Sequence, residues 1–160
     1  MMEVRQPLQN PTHDYVDGGM YHVTLTVTDD DGASDSISKD LDVSYAASID
    51  IKPGTYPNTI YVNKKGNVPV AILTTDDFDA SNVNPNTVVF LGASPCMRAK
   101  LQDVDNDSDL DMIFHFNIKA LDFSLVVVEG EYLYAYLTGE TNDNKLFVGK
   151  DTVVLVGPSY

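Results

Sequence analysis

Hydrophobic and polar residues alternate in short runs along most of this chain. Tyr21, Val23, Leu25 and Val27 interleave with His22, Thr24, Thr26 and Thr28, so one face is apolar and the other is hydroxyl-rich. Asp29-Asp30-Asp31-Gly32 then signals a turn, and Ser34–Val43 reads as a second strand with Ile37, Leu41 and Val43 as its apolar members. The pair forms a hairpin, which in isolation is marginally stable at best.

Further along, Ile49–Ile51, Thr59–Val62, Val68–Thr74 and Val88–Leu91 read as short strands cut by Pro53-Gly54, Asn63–Gly66 and Asn84-Pro85-Asn86. Pro69 belongs near the start of its strand or on an edge. One helical turn is expected over Thr75–Ala80 and a short helix over Lys119–Phe123. Met97–Gln102 leads into an acidic loop, and Met112–Asn117 leaves it as a strand with Met112, Phe114 and Phe116 on one side. Glu131–Thr138 alternates Tyr132, Tyr134 and Tyr136 against Leu133, Ala135 and Leu137. Lys145–Val148 and Thr152–Val156 close the series.

Many short strands, frequent turn signals and almost no helix predict an all-β fold. We expect an antiparallel β-sandwich, immunoglobulin-like or jelly-roll-like, preceded by a hairpin. The expected organisation is a disordered segment over 1–10, a hairpin segment over 11–44, a linker over 45–48 and a sandwich over 49–157.

Composition narrows the function. The chain has 160 residues and a formal net charge of -14. Such a surface repels phosphates, which argues against nucleic acid and against simple adhesion to anionic lipid. No apolar stretch approaches a membrane span, so no membrane insertion is expected. Cys96 is the single cysteine, which rules out an intrachain disulfide. Met1–Asn10 is polar and unlike a secretion signal, so export would imply that the chain is cut from something longer.

The sharpest chemistry lies at D-V-D-N-D-S-D-L-D, with Asp103, Asp105, Asp107, Asp109 and Asp111 at every second position. Carboxylates this dense repel one another unless a cation sits among them. Ca²⁺ takes six to eight hard oxygen ligands at about 2.3–2.6 Å and suits the pattern. The loop resembles the D-x-D-x-D-G-x-x-D calcium loops of integrin-type propellers, thrombospondin type 3 repeats and dockerins. By that resemblance Asp103, Asp105 and Asp107 give side-chain oxygens, Asp109 its backbone carbonyl, and Asp111 a side chain directly or through water. Ser108 replaces the usual Gly, at a cost of roughly 1 kcal/mol if the turn is left-handed. Phe114 stands where an EF-hand has its distal Glu, so a strand–loop–strand site is expected. Asn106-Asp107-Ser108 is also a glycosylation sequon, which we read as coincidental, since a glycan would crowd the loop.

Two longer resemblances accompany these motifs. Pro11-Thr12-His13-x-Tyr15, Gly19-x-Tyr21-x-Val23 through Asp29, and Gly32-x-Ser34 resemble the end of a PKD domain, an immunoglobulin-like module of secreted and cell-surface proteins. Ile49-Asp50-Ile51-Lys52-Pro53-Gly54, Val68–Leu73, the aspartate loop and Leu137–Thr141 resemble a module of secreted proteins from methanogenic archaea and some bacteria. These resemblances imply an extracellular or cell-surface location and bring no known activity.

Other candidates have plainer readings. Asp76, Asp77 and Asp79 read as acids at a helix start, and Asp29–Asp31 and Asn142–Asn144 as solvated turns. His13, His22 and His115 are too scattered for a metal triad, and Cys96 reads as a packed thiol. Tyr132, Tyr134 and Tyr136 read either as one side of the core or as an exposed sugar-stacking strip. The resulting expectation is a calcium-stabilised, non-catalytic surface module for adhesion, spacing or protein interaction. Its partners would be other surface proteins or glycans. The alternative is a carbohydrate-binding module, and a hydrolase is the weakest reading, since no motif marks a cleft with paired acids.

Overall fold

The computed structural model describes residues 11–15 and 18–157, so the disordered segment expected over 1–10 lies outside the described residues. The fold is all-β, as expected, and the strands of the described residues form three sheets.

Strands β1 (Gly19–Thr28) and β2 (Ser34–Val43) make a two-stranded hairpin in which Leu25 faces Ile37 and Tyr21 faces Leu41. Ala33 N–H donates to Asp29 Oδ1 at 2.7 Å and fixes the turn. On the polar face the Thr24–Ser38, Thr26–Ser36 and Thr28–Ser34 hydroxyl pairs each lie at 2.8 Å, a ladder of cross-strand contacts. Most of the apolar face is exposed, with Leu25 48% and Ile37 71% accessible, while Tyr21 is half-buried against the Tyr15 ring. The hairpin therefore holds its shape through strand pairing rather than burial.

The remaining strands form two sheets that share one core. The first runs in the order β4 (Ile49–Ile51), β6 (Asn67–Ile72), β9 (Asp111–Asn117) and β8 (Lys100–Gln102), all antiparallel. Pro69 lies opposite Lys52, where β4 has ended, so its missing N–H interrupts no ladder. The second sheet is built on two long strands, β11 (Tyr132–Glu140) and β12 (Leu146–Val156). β7 (Val89–Phe90) and β10 (Val127–Glu129) border β11, while β3 (Tyr45–Ala46) and β5 (Thr59–Tyr61) border β12. The β3 and β5 pairings with β12 are parallel, and the other strand pairings among the described residues are antiparallel.

Alternation decides which residues meet between the sheets. Val68, Val70, Ile72, Phe114 and Phe116 from one sheet face Ala135, Leu137, Phe147 and Val153 from the other, and all are buried. Each buried Phe contributes about 1.5–3 kcal/mol by leaving water. Gly149 lets β12 pass close to β4: a Cβ there would lie 2.5 Å from Ile49 Cγ2 and 2.8 Å from the Ala47 carbonyl oxygen.

Among the described residues, helical content is confined to three single 3₁₀ turns, Ala80–Asn82, Ile118–Ala120 and Phe123–Leu125. The first starts later than the turn expected over Thr75–Ala80, because Asp79 acts as its N-cap, accepting from Ser81 N–H at 2.8 Å. The Lys119–Phe123 helix divides into two turns, capped by Asn117 and Asp122.

Candidate metal centre

The aspartate loop joins β8 to β9, so both ends are anchored in one antiparallel pair, and Gln102 lies opposite Asp111. The loop is strand–loop–strand, without flanking helices.

Asp111 opens β9 and is fully buried. Its Oδ1 accepts from Thr74 N–H and its Oδ2 from Val104 N–H, each at 2.9 Å. Thr74 Oγ1 also donates to the Leu110 carbonyl at 2.8 Å. Asp111 thus ties the end of β6 to the start of the loop, and each oxygen keeps a lone pair for a further contact.

Asp103 organises the loop's interior. Its Oδ1 accepts from Asn106 N–H at 2.7 Å and its Oδ2 from Ser108 N–H at 3.2 Å. To close this turn the chain enters the left-handed region at Asn106 (φ 67°) and Ser108 (φ 82°). The strain anticipated for Ser in place of Gly is present.

These constraints bring ligand oxygens of Asp103, Asp105 and Asp111 within 4.8 Å of one another. Asp107 and Asp109 lie beside this triad, with Asp109 N–H donating to Asp107 Oδ1 at 3.0 Å. Asp109 Oδ1 is buried and has no hydrogen-bond partner. A buried carboxylate oxygen without a donor is costly. The donor set is all carboxylate oxygen, which fits a hard divalent cation better than a soft metal.

The electrostatics agree with the crowding. Desolvation, followed by repulsion from Asp107, pushes the Asp109 carboxyl up to about 6. Asp105 is raised for the same reasons, with Asp111 adding to the repulsion. Asp50 on β4 is raised by burial first, then by Asp151 and Asp105. Asp50 was not a sequence candidate, because only the packing of β4 brings it into this field.

The other candidates lie elsewhere. Asp79 caps a 3₁₀ turn. Cys96 is exposed, and its Sγ lies 3.2 Å from the His115 carbonyl oxygen. His22 lies on the hairpin, 2.6 Å from Asp40.

Residues 4–44 match the family model of the PKD domain. PKD domains are β-sandwich modules typical of extracellular or surface proteins, and they are generally non-catalytic. The match takes in the hairpin and ends before β3, leaving the two-sheet core and the aspartate loop outside it. No curated protein and no solved structure matches this chain. Among the described residues, no helix is long and apolar enough to cross a membrane.

Proposed function

We propose that the chain is a non-catalytic module of an extracellular or cell-surface protein, stabilised by Ca²⁺ in the Asp103–Asp111 loop and working in adhesion, spacing or protein interaction. The observation that carries this reading is that ligand oxygens of Asp103, Asp105 and Asp111 lie within 4.8 Å of one another. Asp107 and Asp109, beside the triad, are the further ligands of this reading, Asp109 through its unpartnered side-chain Oδ1 rather than the backbone carbonyl that the loop resemblance implies. The bound cation neutralises repulsion among the carboxylates and locks β8, β9 and the end of β6 together through Asp111. The matched PKD segment and the acidic surface support the extracellular setting. Extracellular modules bind Ca²⁺ typically at about 10⁻⁴–10⁻³ M, so the role is structural rather than signalling.

The test is calorimetric titration of the full chain with CaCl₂, repeated on Asp105→Ala and Asp107→Ala. Saturable binding in the wild type that weakens in both variants supports the reading. No heat and no spectral shift at millimolar Ca²⁺ would remove it.

A further inference from the structure

Alternation along β11 puts Ala135 and Leu137 in the core and turns Tyr132, Tyr134 and Tyr136 to the outer face of the sheet. Tyr132 is 58% exposed. The Tyr132 and Tyr134 ring centroids are 6.5 Å apart, close to the two-residue rise of a strand, so the sheet fixes their spacing. Lys150 on β12 lies opposite Tyr136, with its Nζ 4.6 Å from the Tyr134 centroid and 5.8 Å from that of Tyr136. Glu129 on β10 joins the polar groups: its Oε1 accepts from Tyr136 O–H and its Oε2 from Lys150 Nζ, each at 2.6 Å. Because β3 is only two residues long, the sheet edge recedes beside this strip. An open groove of about 450 Å³ results, lined by Ala46, Ser48, Tyr136, Val148 and Lys150 among others.

We infer that this outer face is a carbohydrate-binding site for an extended neutral polysaccharide. The inference does not rest on the metal, because the strip and the loop belong to different sheets. Tyr132, the most exposed of the three rings, offers an apolar face to the C–H face of a pyranose, while Tyr134, inclined at 59° to it and with Lys150 Nζ over its ring, borders the site. Lys150, Glu129 and the tyrosine hydroxyls supply donors and acceptors for sugar hydroxyls at the ring edges. Charge selects the class. Glu129 and Lys150 cancel each other locally, and the formal net charge of the chain is -14, so an anionic polymer is repelled where a neutral one is not.

The experiment is retention of the full chain on insoluble cellulose, chitin and starch, and on immobilised polygalacturonate as the anionic comparison. Any neutral polymer that binds is then titrated as its soluble oligosaccharide. The expected result is binding to a neutral polymer and not to polygalacturonate, with affinity reduced about tenfold by Tyr132→Ala, which removes the most exposed ring of the three. Lys150→Met is a second variant, removing a donor without touching the rings, and it should also weaken binding. Calorimetric Ca²⁺ titration of the same chain is a separate readout: Ca²⁺ binding without glycan retention sinks this inference alone, and glycan retention without Ca²⁺ binding sinks the calcium reading alone. No retention on any neutral polymer, retention indifferent to both variants, or a preference for polygalacturonate would each overturn it. So would dimerisation through this face, seen as a sedimentation shift abolished by Tyr132→Ala without glycan retention.

Discussion

Replacing Asp111 by Ala separates the loop's built-in support from the support a cation adds. The carboxylate is fully buried and accepts two backbone N–H groups at 2.9 Å, from Thr74 and Val104. Hydrogen bonds to a charged acceptor contribute about 1.5–3 kcal/mol each, so losing both costs about 3–6 kcal/mol. Relief of repulsion with Asp105 and Asp109 works the other way, but at the solvent-facing loop it is screened and is the smaller effect. The net loss is a large share of the roughly 5–15 kcal/mol that holds a typical domain. Asp111→Asn keeps one acceptor and turns an amide against the other N–H, so it should fall between Ala and wild type. Urea unfolding of the full chain in EDTA, followed by far-UV circular dichroism, measures this without any metal contribution. Midpoints should fall in the order wild type, Asn, Ala, with little change in slope. Repeating the series at a hundredfold excess of Ca²⁺ over Kd should add about 2.7 kcal/mol to the wild type and far less to the variants. An Ala variant within about 0.5 kcal/mol of wild type in EDTA would refute the idea that Asp111 ties β6 to the loop, since surface changes of no structural consequence fall in that range.

Three further outcomes follow from the structure. Ser108→Gly should raise the unfolding midpoint in EDTA by the equivalent of about 1 kcal/mol, because φ 82° strains a residue with a Cβ. Gly149→Ala should destabilise by about 1–3 kcal/mol in the same assay, its methyl group meeting Ile49 and the Ala47 carbonyl. Hydrogen bonds from Thr141 first, then Lys145, hold the Asp143 carboxyl down at about 2, below its unfolded value of roughly 3.9. Its contribution is therefore present above pH about 4 and lost as pH falls toward about 2, so Asp143→Asn should flatten the acid limb of a stability–pH profile over that window.

The strands flanking the loop were legible because Met112, Phe114 and Phe116 alternate with polar or half-buried neighbours, a pattern that only a one-sided strand satisfies. The Ser108 turn was legible from its place in the spacing. For β11 the alternation showed two faces without showing which was inner. Leu133, Ala135 and Leu137 are as apolar as the tyrosines, and the choice rests on Gly139 and Phe147 packing from the same side. β12 read as two pieces because Gly149-Lys150-Asp151 looks like a turn. The strand runs through: Gly149 is needed for close approach, and Asp151 Oδ2 is satisfied by Ile51 N–H and Asn58 Nδ2 at 2.9 Å each. Asp111's double role was not legible, because Thr74 lies 37 positions away in sequence and meets it only across β6 and β9. The structure also adds order to the aspartate series: Asp103 shapes the turn, Asp111 anchors it, and Asp105 completes the triad.

The central claim is that one cation sits among these carboxylates. An anomalous difference map from crystals of the full chain grown in CaCl₂ tests it most directly. The account predicts one strong peak at about 2.3–2.6 Å from oxygens of Asp103, Asp105 and Asp111. An ordered loop with no peak there, or a peak only at other acidic residues, would contradict it.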